Sequence, residues 1–168
     1  MFEKGEMVYY GTAGVCKVSD ICISPFDKND GRAYYMLEPK DFSVGTVIYA
    51  PAEGGKVMLR ALMTEAEAKA LVASMADMEE LAVDNEKRRR EEYRNALREG
   101  TPLSLARLIK TVYIRKKRNE KTQKRIYETD TEFDKTARRA LLGEIAHVLG
   151  IGENDAQKII NDAMDAKI

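Results

Sequence analysis

The chain has one histidine, two cysteines, four prolines and no apolar run approaching the length of a bilayer. Each shortage excludes something. A membrane-crossing helix needs about 20 consecutive apolar residues, so no membrane contact is expected. Cys16 and Cys22 do not form a C-x-x-C, and both fall in strand-like sequence. A reduced cytosolic pair follows, and two cysteines with one histidine at these spacings cannot build a metal site. His147 sits between Ala146 and Val148 on a well-patterned helix with no motif neighbours, so it reads as structural and not as a general base. No G-x-S-x-G, P-loop or G-x-G-x-x-G occurs. Gly11-Thr12-Ala13-Gly14 lies between two strands and lacks the helix N-terminus a phosphate would need. Catalysis, a cofactor and a metal are therefore not expected. Strand-like sequence follows Met1-Phe2-Glu3-Lys4-Gly5-Glu6 where a leader would have its apolar core, so a cytoplasmic location is expected.

The formal net charge is zero, with 28 basic and 28 acidic residues. It divides unevenly: residues 1–80 carry a net −5 and residues 81–168 a net +5. Residues 107–125 hold nine cations and one acid, Glu120, and Lys87-Arg88-Arg89-Arg90 adds four cations upstream. Such asymmetry points to two surfaces with different partners, the basic one a phosphate-backbone binder. A solvated helix face is the plain alternative.

The hydrophobic pattern changes near residue 62. Before it come five short β-prone runs, at residues 7–10, 15–23, 33–37, 44–50 and 57–60, separated by turn signals such as Asp27-Lys28-Asn29-Asp30-Gly31. A small curled sheet or barrel is expected. Adjacent tyrosines, Tyr9/Tyr10 and Tyr34/Tyr35, must point to opposite faces of a strand, so one of each pair is a candidate for an exposed contact, and Tyr49 lies in the same region. After residue 62 the period is helical. Thr64-Glu65-Ala66-Glu67 is a capping box opening a helix over about 65–80, burying Ala68, Leu71, Val72, Met75 and Met78. A second helix over about 84–98 ends at Gly100, and Thr101-Pro102 starts a third. In that third helix Leu105, Leu108, Ile109, Val112 and Tyr113 make one apolar stripe. Thr131-Glu132-Phe133-Asp134 opens a fourth, ending at Gly150, and a fifth starts near Glu153 with Ala156, Ile159, Ile160, Ala163 and Met164 inward. The expected class is α+β: a β domain over 1–62 and a helical domain over 63–168.

The motifs Phe2-x-x-Gly5-x-x-Val8-Tyr9-Tyr10-Gly11-x-x-Gly14, Gly31-x-x-Tyr34-Tyr35-x-Leu37 and Thr46-Val47-Ile48-Tyr49-Ala50-Pro51 resemble the start of the CarD/CdnL family of bacterial transcription regulators. That start is shared with the polymerase-interacting domain of the transcription-repair coupling factor. The likeness continues at Arg89-Arg90-x-x-Tyr93, Thr129-Asp130-Thr131-Glu132 and Ala140-Leu141-Leu142-Gly143-Glu144-Ile145-Ala146, so it runs through nearly the whole chain.

The resemblance implies a Tudor-like β barrel docking on the β subunit of RNA polymerase, and helices contacting promoter DNA near the upstream edge of the transcription bubble. The polymerase contact would involve the edge strand at Val44, Thr46, Val47, Ile48 and Tyr49. Relatives place an arginine where this chain has Tyr49, but main-chain strand pairing survives that change. Relatives also use a tryptophan wedge, whereas this chain has no tryptophan. The matching position falls at about Arg89, which is expected at the exposed, DNA-facing edge. The expected DNA contacts are Arg88, Arg89, Arg90, Arg94, Lys110, Arg115, Lys116, Lys117, Arg118, Lys121, Lys124 and Arg125, acting on double-stranded DNA largely without sequence specificity. A monomer is expected. The rival reading is an RNA-associated adaptor using the same basic helices.

Overall fold

The computed structural model describes residues 1–82 and 84–166. Two compact units meet at the pattern change, Met1–Leu62 and Met63–Ile168, and the fold is α+β.

The first unit is one antiparallel sheet of five strands, ordered β4-β3-β2-β1-β5. They are β1 (Met7–Tyr10), β2 (Gly14–Ile23), β3 (Ala33–Pro39), β4 (Ile48–Pro51) and β5 (Leu59–Ala61), a Tudor-like β region. Alternation along the strands puts Val8, Cys16, Val18, Tyr35, Leu37 and Ala50 into one core, with Phe2, Tyr10 and Ile48 against it. A tight 3-10 turn, Gly11–Ala13, joins β1 to β2. Gly11 has φ +46°, and a Cβ there would stand 2.4 Å from Val57 Cγ1, so only glycine fits. Burial, then the Asp41 carboxylate, pushes the Cys16 thiol up to about 12, and both cysteines are free thiols.

Two expectations about this sheet are corrected. The run at 44–50 forms a strand only from Ile48. Ahead of it Gly45 takes φ +92° and Thr46 N donates to Ser43 O at 3.1 Å, so Val44 lies in a turn and is fully exposed. Nor does the Tyr34/Tyr35 pair leave a tyrosine exposed. Tyr35 enters the core, and Tyr34 on the other face is covered by the edge of Phe26, at 6.0 Å between ring centroids. The exposed aromatic beside this pair is instead Phe26 itself, 73% exposed and also edge-on to Tyr49 at 5.6 Å, and Phe42 is exposed elsewhere in the unit.

The second unit holds α1 (Glu65–Ser74), α2 (Glu86–Glu99), α3 (Pro102–Lys121), α4 (Glu128–Leu149) and α5 (Glu153–Asp165). Local capping sets most ends. Thr64 and Glu67 form the reciprocal box. Thr101 Oγ1 accepts from Ser104 N beside Pro102, and Gly100 and Gly150 take left-handed C-caps at φ +59° and +64°. The buried stripe of α3 packs against α4, whose Leu141 and Ile145 are fully buried, and α4 in turn packs against α5, where Ile160 and Met164 are buried. Buried Glu144 accepts the Met63 backbone N–H at 2.8 Å and fixes the start of the unit.

Three helical expectations shift. α1 stops at Ser74, whose hydroxyl donates to Leu71 O at 2.7 Å and competes with the next helical bonds, leaving Met78 half-buried beyond it. α4 begins at Glu128 and not at Thr131, because Asp130 in its first turn is held by partners on α2 and α3. Ile159 is 38% exposed, since it lies off the inward Ala156-Ile160-Met164 row, where neighbours stand four apart.

Candidate nucleic-acid interface

The structure separates the expected DNA-contacting cations into those held within the helical unit and those left exposed. Asp130 is the main internal anchor. It is 1% exposed; its Oδ1 lies 3.1 Å from both Arg89 Nε and the Tyr93 hydroxyl, and its Oδ2 is 3.2 Å from Arg115 Nε. Arg89 is 5% exposed and lies under the Tyr127 ring, 4.8 Å from guanidinium carbon to centroid. The expectation that Arg89 stands at an exposed edge is therefore corrected: a buried carboxylate draws it inward. Neither Nε nor Nη2 of Arg89 has a well-formed hydrogen bond among the described residues, so its link to Asp130 is an ion pair in poor hydrogen-bond alignment, supplemented by the ring. Burial, and next the adjacent Asp130 carboxylate, raise the pKa of Tyr93 above the ordinary tyrosine value, which keeps it a hydrogen-bond donor.

A second carboxylate, Asp134, takes Arg138 Nε at 2.9 Å and Lys116 Nζ at 3.2 Å. Lys117 Nζ sits 3.4 Å from Asp165, which also accepts from the Tyr113 hydroxyl. That hydrogen bond is the main reason the Asp165 carboxyl is held below the usual range, Lys117 adding to it. Arg118 pairs with Glu80 at 2.6 Å, Arg88 with Asp84 at 2.7 Å, and Arg90 with Glu86 at 3.5 Å while donating to Thr129 Oγ1 at 3.3 Å. Exposed pairs of this kind are weak, so Arg88, Arg90 and Arg118 can exchange a carboxylate for a phosphate. Arg89, Arg115 and Lys116, whose carboxylate partners are buried, are tied more closely into the bundle, whereas the Lys117–Asp165 pair is itself exposed.

Lys110 is the second residue that the structure removes from the expected surface. It is 3% exposed, and its ammonium donates to Ala76 O at 3.3 Å and Met164 O at 3.5 Å, close to the ends of α1 and α5, where helix carbonyls favour a cation. Lys110→Met is expected to destabilise the protein by about 2 kcal/mol, the scale of hydrogen bonds to a charged group. It should leave the salt dependence of DNA binding unchanged. Urea unfolding and a salt titration of DNA affinity check the two halves.

Of the expected contacts, Arg94, Lys121, Lys124 and Arg125 are exposed and have no carboxylate within ion-pair distance among the described residues. Lys121, Lys124 and Arg125 surround the turn between α3 and α4, where Ile126 and Tyr127 are 42% and 47% exposed. Sequence reading missed Ile126 and Tyr127, because no period connects them to a helix face. It also missed Asp130 as a counter-charge.

The polymerase-contacting residues expected from the resemblance cluster differently. Ile48 and Tyr49 lie on β4, at one edge of the sheet, while Val44, Thr46 and Val47 lie in the approach to it. Ala52 N donates to Ala33 O at 2.9 Å. Main-chain bonds alternate along an antiparallel strand, so Ala50 faces β3 while the N–H and C=O of Tyr49 face away from the sheet. Pro51, next on the outward side, has no N–H and ends the open stretch. The unpaired edge is short, with the Phe26–Tyr34–Tyr49 aromatic group beside it.

The chain thus combines a small β sheet that has an unpaired edge with a helical bundle that carries exposed cations. The family model described as "CarD, C-terminal domain" matches residues 70–161, within the helical unit. The chain belongs to the CarD family and is a CarD-like transcription regulator; the family is one of transcription factors and not of enzymes. No curated protein sequence matches it. Among the described residues no helix is long and apolar enough to cross a membrane.

Proposed function

We propose that this protein binds the β subunit of RNA polymerase through its β unit and contacts promoter DNA near the transcription bubble through its helical unit, changing the stability of the open complex. Membership of the CarD family, carried by the match over residues 70–161, is the observation on which this reading rests. The β unit supplies what docking needs. The outward main-chain groups of Tyr49 can add to a partner's strand, and exposed Phe26 and Val47 offer apolar area beside it. The helical unit supplies exposed cations for phosphates. Tethering to polymerase raises the local concentration of a weak DNA binder, so modest affinity suffices. DNA binding is expected to be salt-dependent and nearly blind to sequence.

Tyr49→Pro removes the outward N–H while leaving the β3-facing bonds of Ile48 and Ala50 in place. Capture of the polymerase β subunit by the full chain is expected to fall at least about tenfold in this variant, the effect of losing a charge-free edge bond together with strand register. Tyr49→Phe should bind like wild type. Equal capture by all three would remove the edge strand from the interface. Capture of RNA and not of polymerase would favour the adaptor reading instead.

A further inference from the structure

We infer that residues 76–82, which lead from α1 towards α2, are an autoinhibitory strap: they hold Arg107 and Arg118 of α3 and must lift before those two cations can engage the phosphates of duplex DNA. The inference rests on the reading that the helical unit binds DNA, and adds how that binding is restrained.

The composition of this segment is one-sided. Ala76-Asp77-Met78-Glu79-Glu80-Leu81-Ala82 holds three acids and no cation. It forms neither helix nor strand, so its backbone groups need partners elsewhere. They find them on α3, where Arg107, Thr111 and Arg118 stand at i, i+4 and i+11 and share one face. Arg107 Nε donates to Glu79 O at 3.4 Å, Leu81 N donates to Thr111 Oγ1 at 2.9 Å, and Arg118 donates to both carboxylate oxygens of Glu80, at 2.6 and 3.3 Å. At the start of the strap, Lys110 Nζ donates to Ala76 O at 3.3 Å. The planar fork of an arginine takes a carboxylate or a phosphate in the same geometry, one at a time. Strap and DNA therefore compete for Arg118, and the chain lying on Arg107 competes for it too.

The strap is lightly anchored. None of residues 76–82 is buried, whereas Met75 just before them is fully buried. A segment with so little buried surface opens locally at far less than the free energy of global unfolding. The helix below does not depend on it. Thr111 Oγ1 also donates to Arg107 O at 2.7 Å, and Lys110 also holds Met164 O at 3.5 Å, so both stay in place when the strap lifts.

Opening changes what α3 presents. Arg107 is held by a carbonyl and has no carboxylate within ion-pair distance among the described residues, so release leaves it an uncompensated cation, and Arg118 joins it once Glu80 departs. DNA gains two phosphate contacts on the open form and so draws the strap open. The closed form lowers the apparent affinity in proportion to its population.

The test reads the strap in the unaltered full chain. Amide hydrogen exchange is measured by mass spectrometry with and without a saturating paired duplex at low salt. The peptide covering residues 76–82 is expected to exchange at least about threefold faster with DNA bound, the reverse of the slowing that a covered segment shows. Thr111→Val removes the acceptor for Leu81 N without changing charge, and should raise DNA affinity about fivefold, the shift one hydrogen bond makes in the open fraction. Glu80→Gln should raise it about threefold more than Glu91→Gln, which removes the same charge from an exposed position of α2. Adding Arg107→Gln and Arg118→Gln should abolish the gain from Thr111→Val and flatten the salt slope by up to about 1.8. The exchange measurement needs no substitution and decides alone if Thr111→Val fails to fold. Unchanged or slower exchange of the strap, no gain from a folded Thr111→Val, or equal gains from Glu80→Gln and Glu91→Gln overturns the strap; with wild-type binding intact, each leaves the DNA-binding reading standing. No binding of the duplex by wild type overturns both.

Discussion

Asp130→Asn is expected to destabilise the helical unit by about 3–5 kcal/mol, the range for leaving a buried charge without its partner. Asp130 is 1% exposed, is ion-paired with Arg89, and accepts hydrogen bonds from Arg115 and the Tyr93 hydroxyl. An asparagine of nearly the same shape keeps an acceptor but removes the charge that two guanidinium groups surround. Arg89, 5% exposed, has no route to water without disturbing Tyr127 and the start of α4. The loss should appear as a lower urea midpoint with little change in the slope of the transition. Asp84→Asn is the matched control. It breaks an exposed i,i+4 pair with Arg88, whose side chains are 49% and 70% exposed, and should change stability by less than about 0.5 kcal/mol. Similar effects from both variants would mean that Asp130 does not anchor the α2–α3–α4 junction.

The second large effect concerns salt. Each phosphate neutralised on duplex DNA contributes about −0.9 to the slope of log affinity against log salt. Replacing Lys121, Lys124 and Arg125 together with Gln is expected to flatten that slope by up to about 2.7, and at low salt to weaken binding by at least about tenfold. These side chains are exposed and unpaired among the described residues, so their removal should leave the unfolding midpoint unchanged. Replacing Arg115, Lys116 and Lys117 with Ala should do the opposite. Those cations hold Asp130, Asp134 and Asp165, so stability falls while the slope changes by less than about 1. A larger slope change from the second triple than from the first would return the phosphate contacts to the middle of α3.

The contrast between these triples marks where the sequence was legible. Helix boundaries that depend on local chemistry were readable. The Thr64–Glu67 box, Thr101-Pro102, Gly100 and Gly150 each act within a few residues of where they stand. The α3 stripe was readable because a face of Leu105, Leu108, Ile109 and Val112 has no polar alternative. The state of the cations was not readable, because the carboxylates that hold them arrive from other helices. Arg89 looks like one of four equivalent basic residues until α4 brings Asp130 to it. The charge split at residue 80 misleads for the same reason. The acids of α1 and of the segment after it belong to the helical unit, which therefore carries 21 basic and 20 acidic residues and is nearly neutral. Local signals also failed at β4, where Val44 reads as strand but Gly45 turns the chain before pairing begins at Ile48. The unpaired edge follows from the spatial order of the strands, with β4 outermost. Hydrophobic alternation alone does not reveal that order.

The most direct test of the two-surface account is the lifetime of the open complex formed by RNA polymerase on a promoter, measured by competitor challenge with and without the protein. Wild type is expected to change the lifetime. Tyr49→Pro, which loses the polymerase edge, and the Lys121/Lys124/Arg125→Gln triple, which loses the phosphate contacts, should each remove that change while remaining folded. No effect of wild type, or a full effect retained by either variant, would contradict the account.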